Sequence, residues 1–369
     1  MKKNKRLIAL DVFRGMTMML MILVNTPGSW AYVYPPFRHA EWHGLTLTDL
    51  VFPFFMWIVG VSMYLSMQKK SGQSDAQKLK RLWSRAFKIF MIGALLRAFP
   101  FMALSWSKFR IFGVLQRIGL AYGIAGTMTL KLSQKQLVIS SVIILLGYWG
   151  VMYYFGGVEP YSLEDNAARW LDIKVLGEGH MWHGHQIAFD PEGLLSTFPA
   201  VVTILLGYFV ARMIQGEKDL SVAIQKVGIY GLVFLVLGWL WGQVFPINKA
   251  LWTSSYVLVT AGIASLVLVV LLWVIDMKGL RKWTIPFQVF GKNAILGFVL
   301  SIVYVKILIK IKWVDDAGEK WSAYSWIFKK WFAPVFGNMN GSLAFALVTV
   351  GLVGLVLWVF WRKGRFLRV

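Results

Sequence analysis

Ten apolar stretches of about 20 residues, each long enough to cross a lipid bilayer as a helix, follow one another along this chain and leave little room for another kind of fold. They lie at roughly 8–27, 49–68, 86–104, 110–130, 137–155, 193–213, 226–245, 253–275, 287–309 and 341–361. Hydrophobic residues make up 57% of the 369, more apolar surface than a soluble domain of this length buries. The expected fold is all-α: a polytopic helical membrane protein of about ten transmembrane helices. No repeat, low-complexity run or flexible linker divides it, so residues 1–369 read as a single transmembrane domain.

A net charge of +22 raises nucleic acid as a partner, but that needs the cations gathered on one accessible face. Here they recur in short loops between apolar spans, which points to membrane topology and no nucleic acid. An even number of spans puts both termini on one side. Lys2, Lys3, Lys5 and Arg6, the loops with Lys69, Lys70, Lys78, Lys80, Arg81 and Arg85, with Lys131 and Lys135, and with Lys278, Arg281 and Lys282, and the tail with Arg362, Lys363, Arg365 and Arg368 all fall there. The positive-inside rule makes that side, and both termini, cytoplasmic. The basic start resembles a signal peptide, yet Asp11 and Arg14 interrupt the span and no small-residue cleavage site follows, so it reads as a retained helix. With no cysteine, disulfides, thiolate metal sites and cysteine nucleophiles are excluded.

The opposite side holds all five histidines and most of the acids. Its segments 28–48 and 156–192 are long, and a third, about 310–340, reads as an amphipathic helix in the outer interface, with Trp313, Trp321, Trp326, Trp331, Lys329 and Lys330.

Charges inside a bilayer are costly and normally face a partner, a cavity or a pathway. Asp11 and Arg14 in the first span therefore read as part of a site or, three apart on one helix face, as a mutually neutralising pair. His39 lies between two spans that bring Asn25 and Asp49 near it if they pack together. Imidazole serves as a general base or acyl acceptor and a carboxylate fixes its tautomer; the plainer reading is an interfacial loop histidine. His180, His183 and His185 have a zinc-like spacing but lack a fixed frame, so no metal is expected and His180 is a candidate for a polar substrate. Asp190-Pro191-Glu192-Gly193 fits a helix N-terminus, where proline and acids are favoured. Arg117 and Lys292, within or at the ends of spans, suit an anionic ligand such as coenzyme phosphates, although Lys292 equally suits snorkelling.

Several blocks go further. Leu10-Asp11-x-x-Arg14-Gly15, Val24-Asn25, His39-Ala40-x-Trp42-x-Gly44-Leu45-Thr46, Asp49-Leu50-Val51-Phe52-Pro53, Gly113-Val114-Leu115-Gln116-Arg117, Asp190-Pro191-Glu192-Gly193, Asn248-Lys249-x-Leu251-Trp252-x-x-Ser255-Tyr256 and Gly291-x-Asn293 resemble the heparan-α-glucosaminide N-acetyltransferase family, in its bacterial form. The resemblance covers nearly the whole chain. It implies a multi-pass enzyme of a bacterial inner membrane moving acetyl from cytoplasmic acetyl-CoA to the amine of a glucosamine-type sugar on the periplasmic side.

The family's catalytic histidine falls on His39, acting as base or acetyl carrier, and its helix asparagine on Asn25, a candidate oxyanion donor. Asp11 or Asp49 would orient the imidazole. Arg14, Arg117, Lys249, Lys292 and Asn293 are the candidates for the acetyl-CoA path, and Trp42, His180, Asp190 and Glu192 for the sugar. The expected partners are the amino-sugar substrate and the lipid bilayer; self-association into a homo-oligomer is compatible with the sequence. The alternative function is a transporter of amino sugars or their N-acetyl forms, with the same charges along its route.

Overall fold

The computed structural model describes residues 7–68, 72–101, 105–184 and 186–367. Its long helices are α1 (Ile8–Asn25), α2 (Leu47–Gln68), α3 (Asp75–Ala98), α4 (Val114–Lys131), α5 (Gln134–Phe155), α7 (Thr197–Gly216), α8 (Leu220–Trp241), α9 (Ser254–Leu271), α11 (Ala294–Lys310) and α14 (Asn338–Arg362). Shorter pieces connect them: α6 (Ala167–Leu176), α10 (Ile285–Lys292), a hairpin of β1 (Lys312–Val314) and β2 (Lys320–Ser322), α12 (Ala323–Ile327) and α13 (Ala333–Phe336). A helix underlies each of the ten expected stretches.

Seven of these helices are long and apolar enough to cross a membrane, or eight if the bent pair α10 and α11 counts as one span. Helices α3 and α4 fall short because Lys78, Lys80, Arg81, Arg85 and Lys88 interrupt the first, and Gln116, Arg117 and Lys131 the second.

Helix α7 is the most enclosed, packed on α2 with the backbones almost touching. A Cβ on Gly60 would lie 1.8 Å from the carbonyl oxygen of Ile204, and one on Gly207 would lie 1.9 Å from that of Trp57. Small residues permit such approach where the surrounding solvent is itself apolar and packing must supply the attraction. Helices α5 and α8 turn most of their surface outward.

Hydrogen bonds define two polar ends. At one, the carboxylate of Asp276, on the π-helical turn Leu272–Met277 that prolongs α9, accepts from the amides of Ile8 and Ala9 at 3.3 and 3.1 Å, supplying negative charge where a helix start needs it. Asn293 accepts from the Leu367 amide at 3.1 Å, so the C-terminal tail returns to this end. The other end gathers the start of α2, α4, α7 and α9 with the connections 26–46, 156–196 and 242–253.

Two expectations are corrected. The stretch 287–309 is not one straight helix: it bends by 72° between α10 and α11, where Asn293 leaves the helical conformation and binds the tail. The segment 310–340 is not one amphipathic helix. It opens with an antiparallel hairpin pairing Trp313 with Trp321, turned by Asp315, whose carboxylate accepts from the amides of Ala317 and Glu319, and by Gly318 at φ +78°.

Candidate active site

The start of α2 builds the site. In Thr46-Leu47-Thr48-Asp49 the Asp49 carboxylate occupies the third helical position and its Oδ2 accepts from the Thr46 amide at 3.1 Å, half of a capping box. The Thr46 hydroxyl lies 2.9 Å from the same oxygen, and the Ala40 amide donates to it at 3.0 Å. Tyr256 on α9 donates its hydroxyl to the Asp49 carbonyl at 2.7 Å. The carboxylate is thus held from three directions, with its side chain only 2% exposed.

Its second oxygen faces the loop. His39 Nδ1 stands 2.7 Å from Asp49 Oδ1, and half of the imidazole surface is open. A carboxylate only accepts, so Nδ1 carries the proton and the lone pair is left on Nε2. The Lys249 ammonium approaches Nδ1 at 3.0 Å, Nε2 at 3.3 Å and Asp49 Oδ1 at 3.6 Å. Burial holds its pKa below the usual lysine range, against the opposing pull of Asp49 and Glu192.

Lys249 is placed by Asn248, which is fully buried. The Asn248 side-chain NH₂ donates to the Trp42 carbonyl at 2.9 Å, its side-chain oxygen accepts from the Leu251 amide at 2.8 Å, and the Gly44 amide donates to the neighbouring Ile247 carbonyl at 2.8 Å. The loop before α9 therefore clamps the loop carrying His39. An oriented, open imidazole beside a compact cation is an arrangement for taking a proton from a nucleophile while stabilising negative charge next to it.

A second polar centre lies on the same end. Arg110, in the connection between α3 and α4, donates to both Asp190 oxygens at 2.9 and 2.7 Å and also to Glu192. Burial works against its charge, but Glu192 and Asp190 hold the guanidinium above the ordinary arginine range. Beneath it, the fully buried Arg117 donates to the Gly193 carbonyl at 3.2 Å and to the Ser196 hydroxyl, with its guanidinium 5.1 Å from the Trp252 ring centroid. Asp172 on α6 accepts from the Leu194 amide at 2.9 Å, and burial pushes its carboxyl up to about 7.

Residues 6–240 match the family model described as heparan-alpha-glucosaminide N-acetyltransferase, catalytic. The chain belongs to the heparan-alpha-glucosaminide N-acetyltransferase family. Curated relatives bearing that name are 32% identical over 80% of this chain, covering 53% of the Mus musculus protein and 52% of the Homo sapiens protein. The chain therefore spans about half the length of the curated relatives it matches. Within the family match lie His39, Asp49, Arg110, Asp190 and Glu192; Lys249 comes from beyond it.

Of the residues singled out for catalysis, the structure joins His39 and Asp49 and places Asp11 at the far end of α1. Asp11 sits in the first turn of α1, fourteen residues before Asn25 and thus about 21 Å away along the helix. It lies 3.4 Å from Arg14, whose guanidinium also reaches the Gly291 carbonyl at 3.2 Å and the Ser62 hydroxyl at 2.6 Å. Asp11 is accordingly corrected from an orienting group of His39 to a member of the terminus-end cluster. Asn25 is exposed at the end of α1 and its amide donates to the Met21 carbonyl at 2.8 Å; among the described residues no hydrogen bond joins it to His39.

The residues proposed for one acetyl-CoA path divide. Arg14, Lys292 and Asn293 belong to the terminus end, where Lys292 lies 5.6 Å from the Trp361 ring centroid. Lys249 and Arg117 belong to the histidine end, Lys249 on His39 itself and Arg117 enclosed under α7.

Among the sugar candidates, Asp190 and Glu192 are engaged by Arg110. Trp42 donates its indole N–H to the Tyr161 carbonyl at 2.8 Å and stacks edge-on against Phe189. His180 donates Nδ1 to the Phe109 carbonyl at 2.8 Å beside Trp106. Among the described residues no group of three His, Asp or Glu converges as for a metal. His185 lies outside the described residues, as do Lys2, Lys3, Lys5, Arg6, Lys69, Lys70 and Arg368.

Sequence reasoning missed Arg110, Asn248 and Asp172. The two acids of Asp190-Pro191-Glu192 called for a cation, and Arg110, just before the Gly113–Arg117 block, was one available signal. Asn248 stands in the Asn248-Lys249 motif, but its clamping role depends on a contact across 206 positions, which spacing along the chain does not reveal.

Proposed function

We propose that the protein is a membrane-embedded acetyltransferase that moves an acetyl group to the amine of a glucosamine-type sugar, with His39 as the central residue. The observation that carries this reading is the open imidazole of His39, tied through Nδ1 to Asp49 with Lys249 alongside. Acetyl-CoA supplies the activated acyl group as cosubstrate. The amine nitrogen bonds to the acetyl carbon, the C–S bond of acetyl-CoA breaks and CoA leaves as its thiolate. Nε2 of His39 takes the proton that the amine loses and returns it to the departing sulfur, Asp49 holds the tautomer and balances the imidazolium, and Lys249 faces the negative charge that develops on transfer. Asn25 has a second amide hydrogen beyond the one given to Met21, and it is assigned as an oxyanion donor.

The sidedness follows from charge. The loops with Lys78, Lys80, Arg81 and Arg85, with Lys131 and Lys135, and with Lys278, Arg281 and Lys282 join the terminus end, which makes that end cytoplasmic and the histidine end periplasmic for a bacterial inner-membrane protein of ten spans. Arg14 and Lys292 then stand where the phosphates of a cytoplasmic donor arrive. Lys249, first assigned to that path, is reassigned to the reacting centre because its ammonium is on the imidazole.

The test is acetyl transfer from labelled acetyl-CoA to glucosamine by the purified protein in liposomes, compared with folded His39→Ala. Transfer lost in the variant supports the reading. Absence of transfer to glucosamine and other amino sugars by the wild type overturns it in favour of an amino-sugar transporter.

A further inference from the structure

The acetyl-transfer reading leaves unexplained a basic cavity at the histidine end. A hollow of about 460 Å³ opens between the end of α3, the connection to α4 and the end of α11, and Arg97, Lys108, Arg110, Lys306 and Lys310 line it together with Phe99 and Phe109. Two of these cations are already committed. Arg110 is paired with Asp190 and Glu192. Lys306 donates to the carbonyls of Leu96, Phe99 and Arg97 at 2.7, 2.9 and 3.1 Å, closing the negative end of α3. The other three, Arg97, Lys108 and Lys310, have no acidic partner within ion-pair distance among the described residues.

Five cations against two carboxylates leave a surplus of three positive charges around one hollow. Like charges gathered around one recess repel one another, and an anion seated there relieves that repulsion. A single carboxylate is met by one cation; three that remain unpaired suit a multiply charged tetrahedral oxyanion, and an arginine beside lysines supplies both fork-shaped and point donors for one. The cavity lies at the same end of the helices as His39, and its wall residue Arg110 pairs with Asp190 and Glu192 just before α7.

We propose that this cavity is an anion subsite for a phosphate or sulfate ester carried by the acceptor, so that the sugar whose amine reaches His39 bears a charged group that docks between Arg97, Lys108 and Lys310. The proposal rests on the acetyltransferase reading for the identity of the acceptor. An anionic lipid headgroup offers the same chemistry, and the experiment separates the two sources.

Binding is measured by titration calorimetry on His39→Ala protein in nanodiscs of zwitterionic lipid, which reads the subsite without any acetyl transfer. The probes are glucosamine, glucosamine 6-phosphate and inorganic phosphate. The subsite predicts that glucosamine 6-phosphate binds at least tenfold more tightly than glucosamine and that inorganic phosphate competes with it. It also predicts that Arg97→Gln, Lys108→Gln and Lys310→Gln each weaken glucosamine 6-phosphate roughly tenfold while glucosamine binding is the internal reference. All three side chains are exposed, so the fold does not depend on them.

Equal binding of the two sugars, or binding of the phosphate ester that the three substitutions leave unchanged, overturns the subsite. A parallel titration with soluble short-chain phosphatidylglycerol tests the lipid source: binding that is lost in the variants but not displaced by glucosamine 6-phosphate also overturns the subsite and assigns the cavity to lipid. Failure of the wild type to acetylate any amino sugar, with the binding results intact, would instead count against the acetyltransferase reading alone.

Discussion

Nδ1 of His39 lies 2.7 Å from Oδ1 of Asp49, and the other oxygen of that carboxylate closes the first turn of α2, so the group that orients the imidazole is itself fixed by a helix start. Asp49→Asn tests both roles. An amide offers one acceptor where the carboxylate offers two; if its oxygen keeps the Thr46 and Ala40 amides, its NH₂ faces Nδ1 and reverses the tautomer. Acetyl transfer should fall roughly 10²–10⁴-fold while the weakened cap costs about 1 kcal/mol of stability. Turnover within a few-fold of wild type in the folded variant would remove Asp49 from the mechanism.

Lys249 provides the second handle. Burial lowers its pKa, so its charge is lost at lower pH than a free lysine would lose it, and activity that needs the ammonium declines early on the alkaline side. Lys249→Gln should lower kcat by roughly 10²–10³ and abolish that alkaline limb. Lys249→Arg, which stays charged, should retain part of the rate and move the limb to higher pH. A pH–rate profile unchanged in both variants would show that the charge on Lys249 takes no part.

Asn25→Ala separates its proposed role from a structural one. The side chain is exposed and gives one hydrogen to the carbonyl one turn back, so removing it should leave the melting temperature within about 1 °C, a surface-scale effect. As an oxyanion donor it is worth roughly 10²–10³ in kcat with little change in KM. Full turnover in the variant would strike it from the site.

The helices were legible because hydropathy over 20 residues reports a local property. His39 and Asp49 were legible for a related reason: ten positions apart, they are brought together by one loop and one helix start, and Thr46-x-x-Asp49 is a capping pattern. Lys249 was visible as a residue but not as a neighbour of His39, because its position depends on Asn248 gripping Trp42 from a distant loop. The Asp11 assignment erred because both ends of a span look alike in sequence, whereas a helix keeps them some 20 Å apart. In 310–340 the Trp and Lys spacing suggested a helix, yet Asp315-Asp316-Ala317-Gly318 between two Lys-Trp pairs is a turn between strands.

The Arg110 centre should behave as a buried ion triad. Removing the cation alone strands two carboxylates, one of them fully enclosed, and Arg110→Gln should cost about 3–5 kcal/mol. Adding Asp190→Asn and Glu192→Gln removes the stranded charges, so the triple variant should recover much of that loss. Thermal unfolding of the single and triple variants in one detergent checks this; a triple variant less stable than the single would contradict the account.

Asp172 gives a pH dependence of defined sign. Its carboxyl is raised from an ordinary 3.8 to about 7, first by burial and then by neighbouring Asp190, against the Leu194 amide and Arg117. Between those values the native protein keeps a proton that the unfolded chain has lost. Stability therefore declines as pH rises from about 4 to about 7, by at most about 1.4 kcal/mol per pH unit, and levels off above. Asp172→Asn retains an acceptor for the Leu194 amide and has nothing to titrate, so its melting temperature should vary less between pH 5 and 8 and exceed that of the wild type at pH 8. Thermal melts across that range decide the matter: parallel curves for the two proteins would mean that Asp172 does not carry the proton, and a variant less stable than the wild type at pH 8 would mean that the charged carboxylate is favoured by Arg117 more than burial penalises it.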